Sequence, residues 1–355
     1  MFPLRDPSAF RPAPWRHSLI DLFSVLIGIS VSQAAMAQAT PGGGDPLPTP
    51  AAVASSPTDR PPVLASVVPP ALAKPGSPPF ALTVKAGAAY DSDVTVSQIN
   101  TSTGQSDPLA TMALSTSYKI PTSSASSITL GYDFSQSLHQ TLSSFDIQLH
   151  TASISGALKV RGSSLGLSYS FSHVLLGGHP FLDMHFISPS VLVPVNSQIF
   201  VRPSFIYLDE RFPTYSTHDA KHSQPGLQAF YFFDQAHAFV LVGANYQRET
   251  TAGPEFTYRG YALDASLTLP VRVLRQESKL KASYEWLSYN YDYITPTIGV
   301  NRFDRAATFK LAAEMPILKK LSLNIEAKHI VRRSNVYFAN LGENVGSAQL
   351  VYKFR

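Results

Sequence analysis

Residues 80–90 read FALTVKAGAAY. Taken two at a time, Phe80, Leu82, Val84, Ala86, Ala88 and Tyr90 form an apolar series, with the small or polar Thr83, Lys85, Gly87 and Ala89 between them. A strand sends alternate side chains to opposite faces, so this period of two predicts a strand with one oily face and one small or wet face. The pattern recurs along the chain. It appears in Met112, Leu114 and Tyr118, in Ile128, Leu130, Tyr132 and Phe134, and in Leu165, Leu167, Tyr169 and Phe171. It continues in Ile199, Val201, Phe205 and Tyr207, in Ala238, Val240, Val242 and Tyr246, in Leu263, Ala265, Leu267 and Leu269, and in Leu280, Ala282, Tyr284 and Trp286. Phe309, Leu311, Ala313 and Met315, then Leu321, Leu323, Ile325 and Ala327, and last Ala348, Leu350, Tyr352 and Phe354 complete the regular set. Less regular segments at 147–160, 182–193 and 227–233 fill the gaps, and the expectation is about fourteen strands.

Periodicity alone also fits a soluble β-sandwich; the connections separate the two. PTSSAS, RGSS, PVNSQ, DQA and PILKK are short, while DSDVTVSQINTSTGQSD, DERFPTYSTHDAKHSQ, NYDYITPTIGVN and RRSNVYFANLGEN are longer and more polar. Tight turns at one end and longer loops at the other are the signature of a membrane β-barrel. RVLRQES fits least well, being longer than a tight turn. Tyr90, Tyr118, Tyr132, Tyr207, Tyr246, Trp286, Tyr352 and Phe354 fall toward strand ends on the apolar face, where interfacial girdles lie. The opposite face carries Lys85, Asp133, Arg202, Lys279, Lys281, Glu285, Lys310, Glu314, Glu326, Lys328 and Lys353. Unpaired, so many charges do not suit a packed protein interior, and they are expected to face a wet lumen. The fold class expected for residues 80–355 is therefore all-β, a transmembrane antiparallel up-and-down barrel. Such a barrel must close, so the terminal strand around GSAQLVYKFR is expected to pair with the strand at 80–90.

Upstream, Arg5, Arg11 and Arg16 precede the apolar run LIDLFSVLIGISV, which leads to Ala35, Met36 and Ala37. This is the layout of a secretory signal peptide over residues 1–37; the run is too short for a spanning helix and contains Asp21. Residues 38–79 are proline-rich, and at that density neither helix nor sheet propagates, which predicts a disordered linker. The chain has no cysteine, which excludes disulfides, thiolate metal sites and lipidation at cysteine. A net charge of +4 over 355 residues, without a dense Lys/Arg run, excludes a nucleic-acid surface.

The terminal Tyr352 and Phe354 resemble the aromatic end that the barrel-assembly machinery of outer membranes recognises, although Arg355 follows the phenylalanine. AGAAYDSDVTV is similar to the opening strand of the surface lipoprotein assembly modifier family. There a Tyr-Asp-Ser-Asn-Val motif begins the barrel: Tyr90, Asp91, Ser92 and Val94 match, and Asp93 replaces the asparagine. FTYRGYALDASLTLPV, FDRAATFKLAAEMPI, the RRSNV segment with Arg333, Ser334 and Asn335, and the final QLVYKF resemble its later strands. The resemblance implies a conduit or assembly factor for surface or secreted proteins, with a client lipoprotein or secreted protein as partner. The helical-repeat domain that precedes the barrel in that family has no counterpart in residues 38–79.

The alternative is a passive porin-like channel, for which Lys85 and Lys353 on the two closing strands predict a mild anion preference. His218 and His222 have a helix-face ligand spacing but fall in a predicted loop without a third ligand, and are expected to be solvated. An outer-membrane lipid hydrolase is a lesser reading, for which Ser172-His173 and His329 with Ser334 are the nearest pairs. No enzymatic activity, cofactor or metal is expected. The predicted location is the outer membrane of a Gram-negative bacterium among its lipids, with the linker and both barrel termini in the periplasm.

Overall fold

A computed structural model describes residues 79–354 apart from 100, 235–236 and 274–275. The expected signal peptide (1–37), and all but the last residue of the expected linker (38–79), lie outside the described residues. In chain order the strands are β1 (Phe80–Asp91), β2 (Thr95–Val96), β3 (Thr101–Ser102), β4 (Asp107–Pro121), β5 (Ser126–His139), β6 (Ile147–Val160), β7 (Ser163–Leu176) and β8 (His179–Pro194). They continue with β9 (Ile199–Arg211), β10 (Ala220–Phe233), β11 (Ala238–Thr251), β12 (Tyr258–Val273), β13 (Gln276–Thr295), β14 (Val300–Pro316), β15 (Leu321–Ser334) and β16 (Leu341–Phe354). Fourteen of these form one closed antiparallel barrel, and β2 with β3 makes a separate small hairpin within the connection from β1 to β4.

Closure follows the register that the period of two demands. β1 and β16 pair from Leu82↔Phe354 to Asp91↔Val345, so the apolar residues of both strands share a face and neither edge is left open. A close approach secures this seam. Gln349 on β16 reaches across β1 to donate from Nε2 to Thr111 Oγ1 on β4 (2.9 Å). Its side chain passes over Gly87, where an added Cβ would come within 2.7 Å of Gln349 Cγ and 2.1 Å of the Ala348 carbonyl oxygen.

The two faces of the wall differ sharply. Leu167 (56% exposed), Leu227 (53%), Val242 (49%), Leu263 (49%) and Leu350 (48%) all project outward. A continuous oily belt of this kind far exceeds the few hundred Å² that a water-soluble protein tolerates, so its solvent is lipid and the barrel spans a membrane. From Phe80 to Tyr90 the belt covers ten residue steps, which at ~3.4 Å each and ~40° of tilt is roughly 25 Å, the thickness such a belt needs.

The strands outrun that belt. They have 12 residues in β1 and 20 in β13, whereas about 9–11 suffice to span. The excess lies at the end opposite the chain termini, and it corrects the expected loops. Only Phe212–Asp219 separates β9 from β10, and only 296–299 separates β13 from β14. Much of the polar sequence read as loop is strand, because a polar residue above the bilayer pairs its backbone as readily as an apolar one within it. At the other end RVLRQES also departs from expectation: pairing continues through Arg272↔Glu277 to Val273↔Gln276, which leaves a two-residue connection.

Candidate functional site

The inward face is divided by height. Toward the long-strand end, the connection 92–106 leaves the rim and folds into the barrel. Val94, Val96 and Ser97 are each 2% exposed. Val96 and Ile99 belong to one apolar cluster with Val174 on β7, Leu182, Met184 and Phe186 on β8, and Ile206 and Leu208 on β9. On the opposite side, Thr95 Oγ1 donates to Glu343 Oε2 on β16 (2.9 Å). β9 lies half-way round the barrel from β16. Fourteen strands ~4.8 Å apart and tilted ~40° put the facing backbones roughly 28 Å apart, and side chains from both walls take up nearly half of that. The loop therefore bridges the bore and constricts it.

The motif that opens this segment fixes its departure. The Asp93 N–H donates to Asp91 Oδ1 (2.9 Å), and Asp93 accepts from Ser102 Oγ (2.8 Å) and the Gly104 N–H (3.0 Å), which pins the two arms of the hairpin together. The Ser92 N–H donates to the Asn344 carbonyl (3.0 Å), and the Asn344 N–H donates back to Ser92 Oγ (2.8 Å). Tyr90 stays on the lipid face, 52% exposed, while Val94 is buried. Asn335 has a similar stitching role. Its Nδ2 donates to the Asn301 carbonyl (3.0 Å) and its Oδ1 accepts the Phe303 N–H (2.9 Å), while Ser334 Oγ accepts the Val336 N–H (3.0 Å). Arg333 points to the outside. At the other end of the barrel the Tyr352 and Phe354 rings meet edge to face, 4.4 Å apart, on the outer face.

Toward the short-turn end the inner wall is open to solvent along β13 to β16 and β1. Lys279, Lys281 and Lys310 are exposed, and Lys85, Glu285, Glu314, Glu326, Lys328 and Lys353 are half-buried. Lys310 Nζ lies 2.9 Å from Glu326 Oε1, and Lys328 Nζ lies 3.5 Å from Glu343 Oε1. Glu314 is the centre of a larger group. Lys353 Nζ donates to its Oε1 (2.5 Å), Lys279 is its direct cross-strand neighbour, and Lys85 also acts on its charge. One carboxylate thus answers three lysines, and Lys281 projects from the same face two residues beyond Lys279. Glu285 sits opposite Asp264 on β12, and Asp133 is exposed on β5.

Arg202 differs from the rest of the expected lumen set. It is 8% exposed, 5.2 Å above the Phe230 ring, and donates from Nε to Gln228 Oε1 (3.0 Å). Arg202, Gln228, Gly243 and Asp264 form one row across β9 to β12. Gly243 leaves room in the row for Asp264, whose Oδ1 lies 2.2 Å from where a Cβ would stand. This wall is packed, with Leu192, Phe230 and Phe232 buried together, so the expectation of a wet environment fails at Arg202.

The upper interior is also packed. Phe256, Tyr258, Ala262, Leu287, Tyr289, Tyr291 and Ala306 form a buried cluster. Set into it are paired charges: Arg302 donates to Asp304 from Nε (2.8 Å) and from a terminal nitrogen (2.6 Å), and Tyr258 OH donates to Glu249 Oε2 (2.9 Å). His222 is fully buried, with Nδ1 3.4 Å from Glu249 Oε2, and His218 is 5% exposed and stacks on Phe256 at 4.3 Å. Both histidines were expected to be solvated in a loop. His222 instead lies on β10 at an inward register, and His218 in a one-turn helix packed over the same cluster. Sequence reading missed this network because it lies in the strand extensions taken for loops. The inward period of Arg302 and Asp304, two residues apart, was the available signal.

The two hydrolase pairs are not formed. Ser172 faces inward and shares a hydrogen bond with Thr151 Oγ1 (2.8 Å), while the adjacent His173 faces outward against Asp183 Oδ1 (2.6 Å). His329 faces outward to Asn344 Oδ1 (2.8 Å), and Ser334 lies at an inward register. Among the described residues no cluster of His, Asp or Glu is arranged to hold a metal ion.

No protein-family model and no curated protein sequence matches the chain. Solved structures similar to it include the anion-selective porin of Comamonas acidovorans, at 10% identity and a TM-score of 0.46 over 78% of this chain and 98% of that one. OmpT, expressed in the outer membrane of Vibrio cholerae, aligns at 9% identity and a TM-score of 0.47 over 78% of this chain and 99% of that one. OpdK of Pseudomonas aeruginosa, solved with vanillate, aligns at 7% identity and a TM-score of 0.41 over 78% and 98%.

Proposed function

We propose that the protein is a constricted outer-membrane channel for small anionic solutes, with the short-turn end and both barrel termini in the periplasm. The observation that carries this reading is the Glu314 group. Lys353 and Lys279 flank one carboxylate on a solvent-open inner wall, Lys85 acts on its charge from β1, and Lys281 adds a further positive charge. Fixed cations lining a low-dielectric bore raise the local concentration of anions and oppose cations. The mild anion preference attributed to Lys85 and Lys353 thus becomes a property of the whole group, in which Lys353 is largely neutralised by Glu314. Assembly through the machinery that reads Tyr352 and Phe354 belongs to the same proposal.

The conduit role implied by the surface lipoprotein assembly modifier resemblance is the second reading. Its opening motif from Tyr90 to Val94 launches the loop that constricts the bore where a polypeptide would pass, and Ser334 and Asn335 stitch the same rim. That favours small solutes over proteins. Purified protein in a planar bilayer should give stable conductance steps and a reversal potential favouring chloride over potassium. Lys279→Glu with Lys281→Glu should move that potential toward potassium. Silent bilayers, together with loss of a surface-exposed protein from a deletion strain, would reject the channel and support the conduit.

A further inference from the structure

The outer face carries an asymmetry that a lipid belt alone does not require. Among the described strand residues, every Asp, Glu, Lys or Arg at an outward register lies above the apolar belt, at the end away from the chain termini. The basic members are Arg211, Lys221, Arg248, Arg259, Arg305 and Arg333; the acidic ones are Asp183, Asp209 and Asp292. Charged residues near the short-turn end, such as Lys119, Lys159, Glu277 and Lys353, all sit at inward registers.

Within this collar two arginine pairs stand face to face. Arg248 is directly opposite Arg259 across β11 and β12, and Arg305 is directly opposite Arg333 across β14 and β15. Like charges in direct cross-strand register repel, so a pair left without an acidic partner weakens the empty barrel. Asp292 relieves the first, at 2.7 Å from Arg248 and 3.4 Å from Arg259. The second has no acidic partner among the described residues; Arg305 lies 5.6 Å from the Phe303 ring, and both arginines are exposed. Counting across β13, Arg259 and Arg305 are two strands and two residues apart, roughly 12 Å.

We propose that this collar binds the phosphate groups of a doubly phosphorylated glycolipid in the outer leaflet, one phosphate between Arg305 and Arg333 and the other at Arg259, the more exposed and more loosely held of the two arginines that share Asp292. Arginine grips phosphate through paired N–H donors, and a phosphate between two guanidinium groups turns their repulsion into shared attraction. Tyr246, Tyr261 and Trp286 lie on the same outer face just below, at the level of a glycolipid's sugar and first acyl carbons. The inference rests on the outer-membrane location proposed above but not on channel activity.

The test uses the folded protein in neutral detergent micelles, titrated in separate arms with bisphosphorylated lipid A, monophosphorylated lipid A and phosphatidylglycerol. Unfolding temperature and native mass spectrometry are the readouts. Bisphosphorylated lipid A should bind stoichiometrically and at least tenfold more tightly than the other two. Arg305→Gln with Arg333→Gln should abolish that preference, leave bilayer conductance unchanged, and leave the lipid-free barrel no less stable, because the opposed charges are gone. Equal affinity for all three lipids, or unchanged selectivity in the variant, would overturn the proposal. In the wild type, molar salt should weaken the bisphosphorylated complex most, which tests the same claim even if the variant fails to fold. Membrane fractionation tests the location independently: a chain found outside the outer membrane yet selective in micelles would refute the location and leave the site standing.

Discussion

At the scale of single residues, the interior obeys one rule: a charge is tolerated where it is wet or where it is answered. Lys281 is wet. Arg202 is buried and depends on Gln228 and Asp264. Arg202→Met leaves the Gln228 oxygen without its donor and should destabilise the barrel by about 1–3 kcal/mol, and Arg202→Met with Asp264→Leu, which also removes the carboxylate facing the lost charge, should recover part of that loss. Urea midpoints in micelles measure both; equal loss in the single and double variants would show that Asp264 does not depend on Arg202. Asp107 gives a second case. Its Oδ2 accepts from the Leu142 N–H (2.7 Å), the Thr141 N–H (2.9 Å) and Thr141 Oγ1 (3.0 Å), fastening the β5–β6 loop to the rim. Asp107→Ala should speed amide exchange at Thr141 and Leu142, whereas Asp107→Asn, which keeps an acceptor oxygen, should change it less.

At the scale of elements, the β1–β16 seam and the inward loop carry the consequences. Gly87 admits the crossing of Gln349 to Thr111, and a side chain there must push either β16 or Gln349 aside. Gly87→Val should cost about 1–3 kcal/mol by overpacking and lower the temperature at which the closed barrel opens. Gels run with and without heating report this directly. The loop is held at its tip by apolar packing of Val96 and Ile99 against β7 to β9. Val96→Asp with Ile99→Asp removes that hold and should raise single-channel conductance while leaving the barrel folded. Unchanged conductance would mean that the constriction lies elsewhere, in the tyrosine cluster of β12 and β13.

At the scale of the whole molecule, the outward belt and the closed hydrogen-bond ladder make lipid or detergent obligatory. The folded protein should migrate faster unheated than heated and should precipitate when detergent is withdrawn. A detergent-free chain that stayed soluble, with the same mobility in both states, would be incompatible with a lipid-facing belt. The outer collar sets the height of the molecule in its membrane: Tyr90 and Tyr261 mark the upper limit of the belt, and the strands continue above it as a polar rim.

How much of this was legible follows from what a strand records about its surroundings. The alternation from Phe80 to Tyr90 and from Ala348 to Phe354 specified strands, their outward side chains and their pairing, because a one-residue slip would turn every leucine into the lumen. The fourteen strands and their closure were therefore written along the chain. Strand length was not, since Tyr207 through Arg211 pairs in water as it would in lipid and leaves no hydropathy mark. The inward course of residues 92–106, the burial of His222 against Glu249 and the grouping of three lysines round Glu314 arose only when curvature brought distant strands together. Periodicity reports which face a residue is on; which residue stands across the bore depends on strand number and stagger, which no local segment encodes.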